Sequence, residues 1–146
     1  MPSSRSQRLA DSTSFMLIGL GRLLQRRFEQ ELAEEGITLR HLGALGHLRG
    51  QSGLSVSDLA KRAGVTAQSM HATIGQLVER GAIDAGKTRQ GRASKLEVTR
   101  EGERLLRFAA RVARRLDGDL QKSGTDLTPL RQLAIRSFAE LRFKPK

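Results

Sequence analysis

The stretch VTAQSMHATIGQLVERG, from Val65 to Gly81, combines an apolar side with a leading half of short, polar and nearly uncharged side chains. At a period of 3.6 residues, that polar side comprises Thr66, Gln68, Ser69, His71, Ala72 and Thr73. Surface helices usually carry Lys and Glu there, so this face needs another explanation. Short donors and acceptors can approach base edges closely in the major groove of DNA, which is about 12 Å wide. The stretch therefore predicts a recognition helix.

Individual side chains on this face match the chemistry of base edges. Gln68 can pair with adenine, and His71 can donate to guanine. The methyl groups of Ala72 or Thr73 can contact the methyl group of thymine. The N-terminus of such a helix also attracts phosphate. This pattern alone leaves open the alternative of a polar surface helix in an all-α protein.

Three capping hydroxyls mark the helices that would position this face. Thr38, Ser55 and Thr66 each follow an apolar residue and precede another apolar residue four positions on, which is a hydrophobic staple. We therefore expect helices over about 38–49, 55–63 and 66–80. Gly64 lies where the turn between the last two helices favours a positive φ. The segment LAKRAGVTAQSMHATIGQL thus predicts a helix-turn-helix, with Ser55 also a candidate for contact with DNA.

A β-hairpin is predicted directly after this unit. The β-leaning segments AID and SKLEV flank AGKTRQGRA, which is rich in Gly and Arg and has no apolar anchor. The tip contains four basic residues and no acid: Lys87, Arg89, Arg92 and Lys95. Such a tip would reach the neighbouring minor groove or the phosphate backbone, so the hairpin predicts a wing.

Long helices flank the predicted winged unit, which we place at about 37–100. We expect a disordered arm over 1–8, one domain over 9–146, and dimerisation helices at about 10–35 and 100–143. Capping is expected at Thr99 and Thr128, and a helix stop at Gly36. The lobe has its own predicted core: Leu59, Ala63, Val65, Met70, Ile74, Leu77, Ile83 and Val98. The broad apolar faces of the long helices therefore predict a homodimer, the alternative being a monomeric helical subdomain.

The composition limits which partners the chain can bind and which chemistry it can carry out. The 146 residues carry a formal charge of +11, which indicates a polyanionic partner, either nucleic acid or an acidic membrane surface. The absence of Cys excludes disulfides, thiolate metal sites and Cys nucleophiles. The apolar run FMLIGLGRLL is too short to cross a bilayer, and we expect a cytoplasmic protein without a membrane partner.

No enzyme, cofactor or metal site is predicted. His41 and His47 are six residues apart on one helix, whereas paired metal ligands there are three or four apart. Glu31, Glu34 and Glu35 form an acidic cluster, which we interpret as a solvated helix end because no partner base or nucleophile lies nearby in the sequence.

The order of elements, with the segments LAKRAGVTAQSMHATIGQLVERGAI, LEVTREGERLL and LTPLRQL, resembles the MarR family of bacterial transcriptional regulators over about 10–143. The resemblance implies a mostly α fold with a small β-hairpin wing, in which long N- and C-terminal helices form a homodimer. It also implies a repressor that binds a pseudo-palindromic operator on double-stranded DNA and responds to a small-molecule effector. The implied effector cleft is lined by Phe15, His41, Leu45 and Phe108.

Two departures from the family pattern concern the wing. Gly91-Arg92 stands where the family usually has an Asp-Arg pair, and GAIDAG lacks the Arg often found at the start of the wing. The runner-up interpretation is a sequence-independent, basic architectural protein that binds nucleic acid. The uncharged recognition face argues against it, because binding to phosphates needs only Lys and Arg.

Overall fold

The computed structural model describes residues 8–86 and 95–142, with the backbone alone at 141 and 142. Six α-helices and two strands occupy these ranges: α1 Thr13–Leu32, α2 Leu39–Gly50, α3 Val56–Ala63, α4 Ala67–Glu79, β1 Ile83–Asp84, β2 Glu97–Val98, α5 Arg100–Gln121 and α6 Thr128–Arg142. Short 3-10 turns lie at Leu9–Asp11 and Ala33–Glu35. The predicted fold class, mostly α with a small antiparallel hairpin, is confirmed.

Local capping explains where α2, α3 and α4 begin. The side chains of Thr38, Ser55 and Thr66 each accept a hydrogen bond from the backbone N–H three residues on, as predicted. Gly64 ends α3 with φ 67°, in the left-handed region that favours Gly. One predicted cap was wrong. Thr128 is already the first residue of α6, and its N–H donates to the carboxylate of Asp126 at 2.9 Å.

The core lies inside the lobe formed by α2, α3, α4 and the hairpin, closed by the end of α1 and by α5. Leu45, Leu59 and Leu77 are at most 1% exposed. Val65 and Val98 are only partly buried, and the prediction of Ala63 in the core was wrong. Ala63 is the last residue of α3 and lines an open groove, so no element covers it.

A close approach fixes α5 against the hairpin. A Cβ atom on Gly102 would lie 2.3 Å from the carbonyl oxygen of Ala82 and 2.6 Å from Cγ1 of Val98. Only Gly fits this contact without a backbone shift. The hydroxyl of Thr99 caps α5 and donates to the carbonyl oxygen of Gly81 at 2.6 Å. The start of α5 is therefore joined directly to the end of the helix-turn-helix.

The terminal helices are packed differently. Leu32 is the only residue of α1 that is buried. Large apolar side chains project into solvent from α1 and α6: Phe15, Met16, Leu17, Ile18, Leu23, Leu130, Leu133, Ile135 and Phe138. None of the helices in the described ranges is both long and apolar enough to span a membrane.

Candidate DNA-binding surface

The exposed side of α4 carries most of the residues predicted to meet DNA. Gln68, His71 and Ala72 are exposed, and their spacing places them on one face. Gly75 continues this face and has nothing within 4 Å of the position where a Cβ would be. The sequence analysis did not include Gly75, although its spacing of four from His71 could have indicated it. Together the four residues form an exposed row without Lys, Arg, Asp or Glu.

Thr66 and Ser69 lie at the N-terminal end of this row. The hydroxyl oxygen of Thr66 accepts from the N–H of Ser69 at 3.1 Å, which fixes the first turn of α4. Thr66 is exposed and Ser69 is half-buried. The first turn of α4 is therefore capped, and Thr66, the residue that caps it, remains exposed to solvent.

The assignment of Thr73 to the recognition face was wrong. Its side chain is 2% exposed, and its hydroxyl donates to the carbonyl oxygen of Ser69 at 3.1 Å. Thr73 comes three residues after Met70 and four before Leu77, both of which are in the core. These spacings place it on the inner side of α4, so it cannot contact a base.

Of Ser55 and the predicted wing residues, the structure describes only Ser55 and Lys95. The hydroxyl of Ser55 accepts from the N–H of Asp58 and lies 2.8 Å from the Asp58 carboxylate, so the cap already uses it. That hydrogen bond holds the pKa of Asp58 below its ordinary value. Lys95 is exposed just before β2. Lys87, Arg89 and Arg92 lie outside the described residues.

The hairpin that carries the wing has the predicted topology. Ile83 pairs with Val98 and Asp84 pairs with Glu97 in an antiparallel register. The strands are two residues long, and a carboxylate oxygen of Asp84 accepts from the N–H of Gly86. The base of the wing is thus anchored on the lobe core through Ile83.

The structure places the four residues predicted to line an effector cleft in different surroundings. Leu45 has no exposed surface and belongs to the core, so its assignment was wrong. His41 lines a cavity of about 520 Å³ beside α4, whereas Phe108 lines another of about 550 Å³ beside α5. Phe15 is 47% exposed in the first turn of α1.

His41 has a structural role that the sequence did not indicate. Its Nδ1 accepts from the N–H of Thr38 at 3.0 Å, completing a capping box at the start of α2. Its Nε2 lies 2.7 Å from Oε1 of Gln76 on α4. Since that oxygen can only accept, the hydrogen-bond network assigns the proton to Nε2. His41 therefore connects α2 to α4.

The cavity beside Phe108 is rich in arginine. It is lined by Phe108, Glu34, Arg111, Arg114 and Arg115. The guanidinium of Arg111 lies 5.8 Å from the centre of the Phe108 ring, and Arg115 is paired with Glu31. Among the described residues, neither Arg111 nor Arg114 has an ion-pair partner within 4.0 Å. This arginine groove therefore offers two cations beside an aromatic face.

An ion-pair cluster joins α1, α4 and α5 near their ends. Glu35 binds Arg104 through two hydrogen bonds, at 2.9 and 2.8 Å, and Arg80 at 3.3 Å. Arg104 is also held by Glu101 at 2.8 Å. The hydrogen bonds from Arg104 lower the pKa of Glu35.

The acidic cluster was therefore misinterpreted as a solvated helix end. Glu35 lies in the ion-pair cluster, and Glu31 is paired with Arg115. The partners are 69 and 84 residues away in the sequence, so no local pattern could have indicated them.

Comparison with known sequences matches this chain to a family of regulators. A sequence model of the MarR family matches residues 35–93. The HTH-type transcriptional repressor Rv2887 of Mycobacterium tuberculosis is 30% identical over 112 residues, which cover 75% of this chain and 81% of that protein. The repressor Mb2911 of Mycobacterium bovis matches with the same values.

Solved structures share the fold over most of the chain. The MarR family protein Rv2887 of Mycobacterium tuberculosis in complex with DNA has a TM-score of 0.68 and 25% identity, covering 89% of this chain and 97% of that chain. The same protein with salicylic acid has a TM-score of 0.65 and 28% identity, covering 91% and 99%. A regulator from Rhodococcus sp. RHA1 has a TM-score of 0.78, covering 94% and 97%; at 22% identity it shows the fold alone.

Proposed function

This chain belongs to the MarR family of DNA-binding transcriptional regulators, and we propose that it acts as a homodimeric repressor released from its operator by a small-molecule effector. The observation that carries the proposal is the exposed, nearly uncharged row of Gln68, His71, Ala72 and Gly75 on α4, in a chain of net charge +11. The positive charge favours approach to DNA, and the uncharged row permits close contact with base edges. Such a regulator works in the cytoplasm, and the proposal assigns it no catalytic step.

In this proposal, different residues contact the bases and the phosphates. Gln68 and His71 read bases, while the first turn of α4, with Thr66 and Ser69, faces phosphate. In the wing, Lys87, Arg89, Arg92 and Lys95 contact the backbone or the minor groove. Replacing Arg89 and Arg92 with Ala should lower the slope of log K against log salt by about 0.9 for each phosphate that the variant no longer neutralises.

The dimer follows from the unpartnered apolar faces of α1 and α6. Phe138 and Ile135 are 69% and 64% exposed, and Leu133 is 47% exposed. A groove of about 370 Å³ between these helices is lined mainly by Leu side chains. Contiguous apolar surface of this kind marks a protein interface, and a second copy of the chain offers a matching surface. Two α4 helices would then face successive turns of the duplex.

The arginine groove is the proposed effector site. A planar aromatic acid could stack on Phe108 while Arg111 and Arg114 bind its carboxylate. The related repressor Rv2887 has been solved with salicylic acid, which has this chemistry. Of the four cleft residues predicted from sequence, Phe108 is the one that the proposal retains at the effector site.

Selection from a random-sequence duplex library, followed by footprinting, tests the DNA-binding part of the proposal. We expect one enriched sequence with two inverted half-sites about one helical turn apart. Binding without any enriched sequence would instead favour the sequence-independent architectural protein.

Release by salicylate tests the effector site on the selected operator. We expect Arg114→Gln to raise the salicylate concentration needed for release, because the carboxylate then has one cationic partner fewer. Arg107→Gln, an exposed arginine on the same helix that does not line the groove, is the matched control. Equal shifts in the two variants would remove the groove from the mechanism.

A further inference from the structure

We propose that Glu35 is the positioning residue that sets the orientation of α4 relative to the dimerisation helices, and thereby the half-site spacing that the protein accepts. This inference rests on the proposed function, because spacing matters only if two α4 helices bind one operator. It assigns to the ion-pair cluster a role in operator choice as well as in stability.

Glu35 lies where the ends of three helices meet through charged groups. It follows α1, Arg80 immediately follows α4, and Arg104 lies in the second turn of α5. One carboxylate oxygen of Glu35 contacts both arginines, at 3.3 Å and 2.8 Å, and the other binds Arg104 at 2.9 Å. The carboxylate is thus shared between the recognition helix and both long helices.

The two arginines depend on Glu35 to different degrees. Arg104 keeps Glu101 as a second partner, which raises the pKa of Arg104 and fixes its guanidinium. Arg80 has Glu35 as its only ion-pair partner among the described residues. Loss of the Glu35 charge therefore leaves the Arg80 side chain without its ion pair, while the contact between Arg104 and Glu101 remains.

The pairing of Arg80 with Glu35 also needs close packing. A Cβ atom on Gly36 would lie 3.3 Å from Nη1 of Arg80. Gly36 has φ 65°, which ends the 3-10 turn after α1 and places the backbone beneath the guanidinium. The turn after α1 is therefore shaped to receive the side chain from α4.

The side-chain hydrogen bond between α2 and α4 stays within the lobe. Gln76 is held by His41, and both belong to the winged lobe. The ion pair of Arg80 with Glu35 instead crosses from the lobe to the turn that follows α1, the helix that carries part of the proposed apolar dimer face. This ion pair is therefore suited to control the orientation of the winged lobe relative to the dimerisation helices.

A small rotation at this junction has a large effect at the DNA. The 13 residues of α4 span about 20 Å, so a tilt of about 10° at its end moves the far end by roughly 3.5 Å. That displacement is about the rise of one base pair, roughly 3.4 Å. A change in the ion pair of Arg80 with Glu35 could therefore move α4 by about the difference between one half-site spacing and the next.

The test compares operators that differ by one base pair in half-site spacing. For Glu35→Gln we expect about a 5-fold loss of affinity at the selected spacing and a smaller loss at spacings one base pair shorter or longer. Spacing selectivity should therefore fall. Glu29→Gln is the control, because it removes the same charge from an exposed position on α1 outside the ion-pair cluster.

A second variant separates positioning from folding. Arg80→Gln leaves the contact of Glu35 with Arg104 in place and should reduce spacing selectivity as Glu35→Gln does, with no further reduction in the double variant. Equal loss of affinity at all spacings, or unchanged selectivity, would overturn this inference while leaving the proposed function intact. A wild type that selects no operator would refute the proposed function itself, and this inference with it.

Discussion

The winged lobe and the terminal helices bury their apolar side chains to very different degrees. In the lobe, Leu45 and Leu59 have no exposed surface, and Leu77 has 1%. On the terminal helices, Met16 is 61% exposed and Phe138 is 69% exposed. The two regions have similar kinds of apolar residue, so composition does not explain the contrast. The difference is that the lobe has its partners within one chain.

This contrast separates two interfaces by their chemistry. Association of protein surfaces gains free energy from removing apolar area from water, which suits α1 and α6. Contact with DNA needs hydrogen-bonding groups and positive charge, which suits α4 and the wing. In the proposed assembly, the chain exposes apolar side chains where it meets a second copy and polar ones where it meets DNA.

The largest expected effect comes from a charge placed on the apolar face of α6. Phe138→Asp should cost the dimer several kcal/mol, because association would bury an unpaired carboxylate. The exposed site costs little in a single chain, so the lobe should stay folded. Sedimentation should show a monomer for this variant and a dimer for Gln132→Asp on another face of α6. A dimeric Phe138→Asp would show that this face is not the interface.

Within the lobe, we expect substitutions to change the stability of the folded chain. Gly102→Ala should destabilise the chain by about 1–3 kcal/mol, because its Cβ would meet the backbone of Ala82. Gly46→Ala, in α2 with nothing near the new Cβ, should instead stabilise by up to about 1 kcal/mol. Urea unfolding measures both changes. Equal stability of the two variants would argue against the tight contact between α5 and the hairpin.

On the exposed face of α4, substitutions should affect binding but leave folding intact. Gln68→Ala and His71→Ala should each cost roughly 1–3 kcal/mol on the selected operator and little on random DNA. Unfolding midpoints should not change, because both side chains are exposed. Competition binding measures the two affinities. Equal losses on both kinds of DNA would mean that these residues do not read bases.

The smallest expected effect is a pH dependence at the start of α3. The Ser55 hydroxyl lowers the pKa of Asp58, so the stabilising contribution of this group is present above about pH 3.8, its ordinary value. It is lost as the pH falls through the lower pKa of the folded state. Asp58→Asn should therefore destabilise the protein at neutral pH and approach wild type in acid. Urea midpoints across this range provide the measurement, and a constant difference would contradict the capping role of the carboxylate.

Local signals in the sequence predicted the fold well. The caps at Thr38, Ser55 and Thr66 were correct because each depends on residues within three positions. The same is true of Gly36 and Gly64, whose positive φ ends a helix or turn. These short-range devices determine helix boundaries without reference to the rest of the chain.

Apart from the cap at Thr128, the errors concern what covers a residue in three dimensions. Thr73 looked like part of the polar face because of its hydroxyl, but its position next to the core side of α4 decides its burial. Leu45 was placed in a cleft by family resemblance, whereas this chain packs it in the core. The partners of Glu35 lie on α4 and α5, and only the fold brings them together.

Binding to operators with altered spacing tests the central claim most directly. If α1 and α6 form a rigid dimer core, the two α4 helices meet one face of the duplex about one helical turn apart. Inserting about 5 bp, half a helical turn, between the half-sites turns one of them to the far side. We predict that affinity then falls to that of a single half-site. Undiminished affinity for the half-turn insertion would contradict a homodimer that reads both half-sites together.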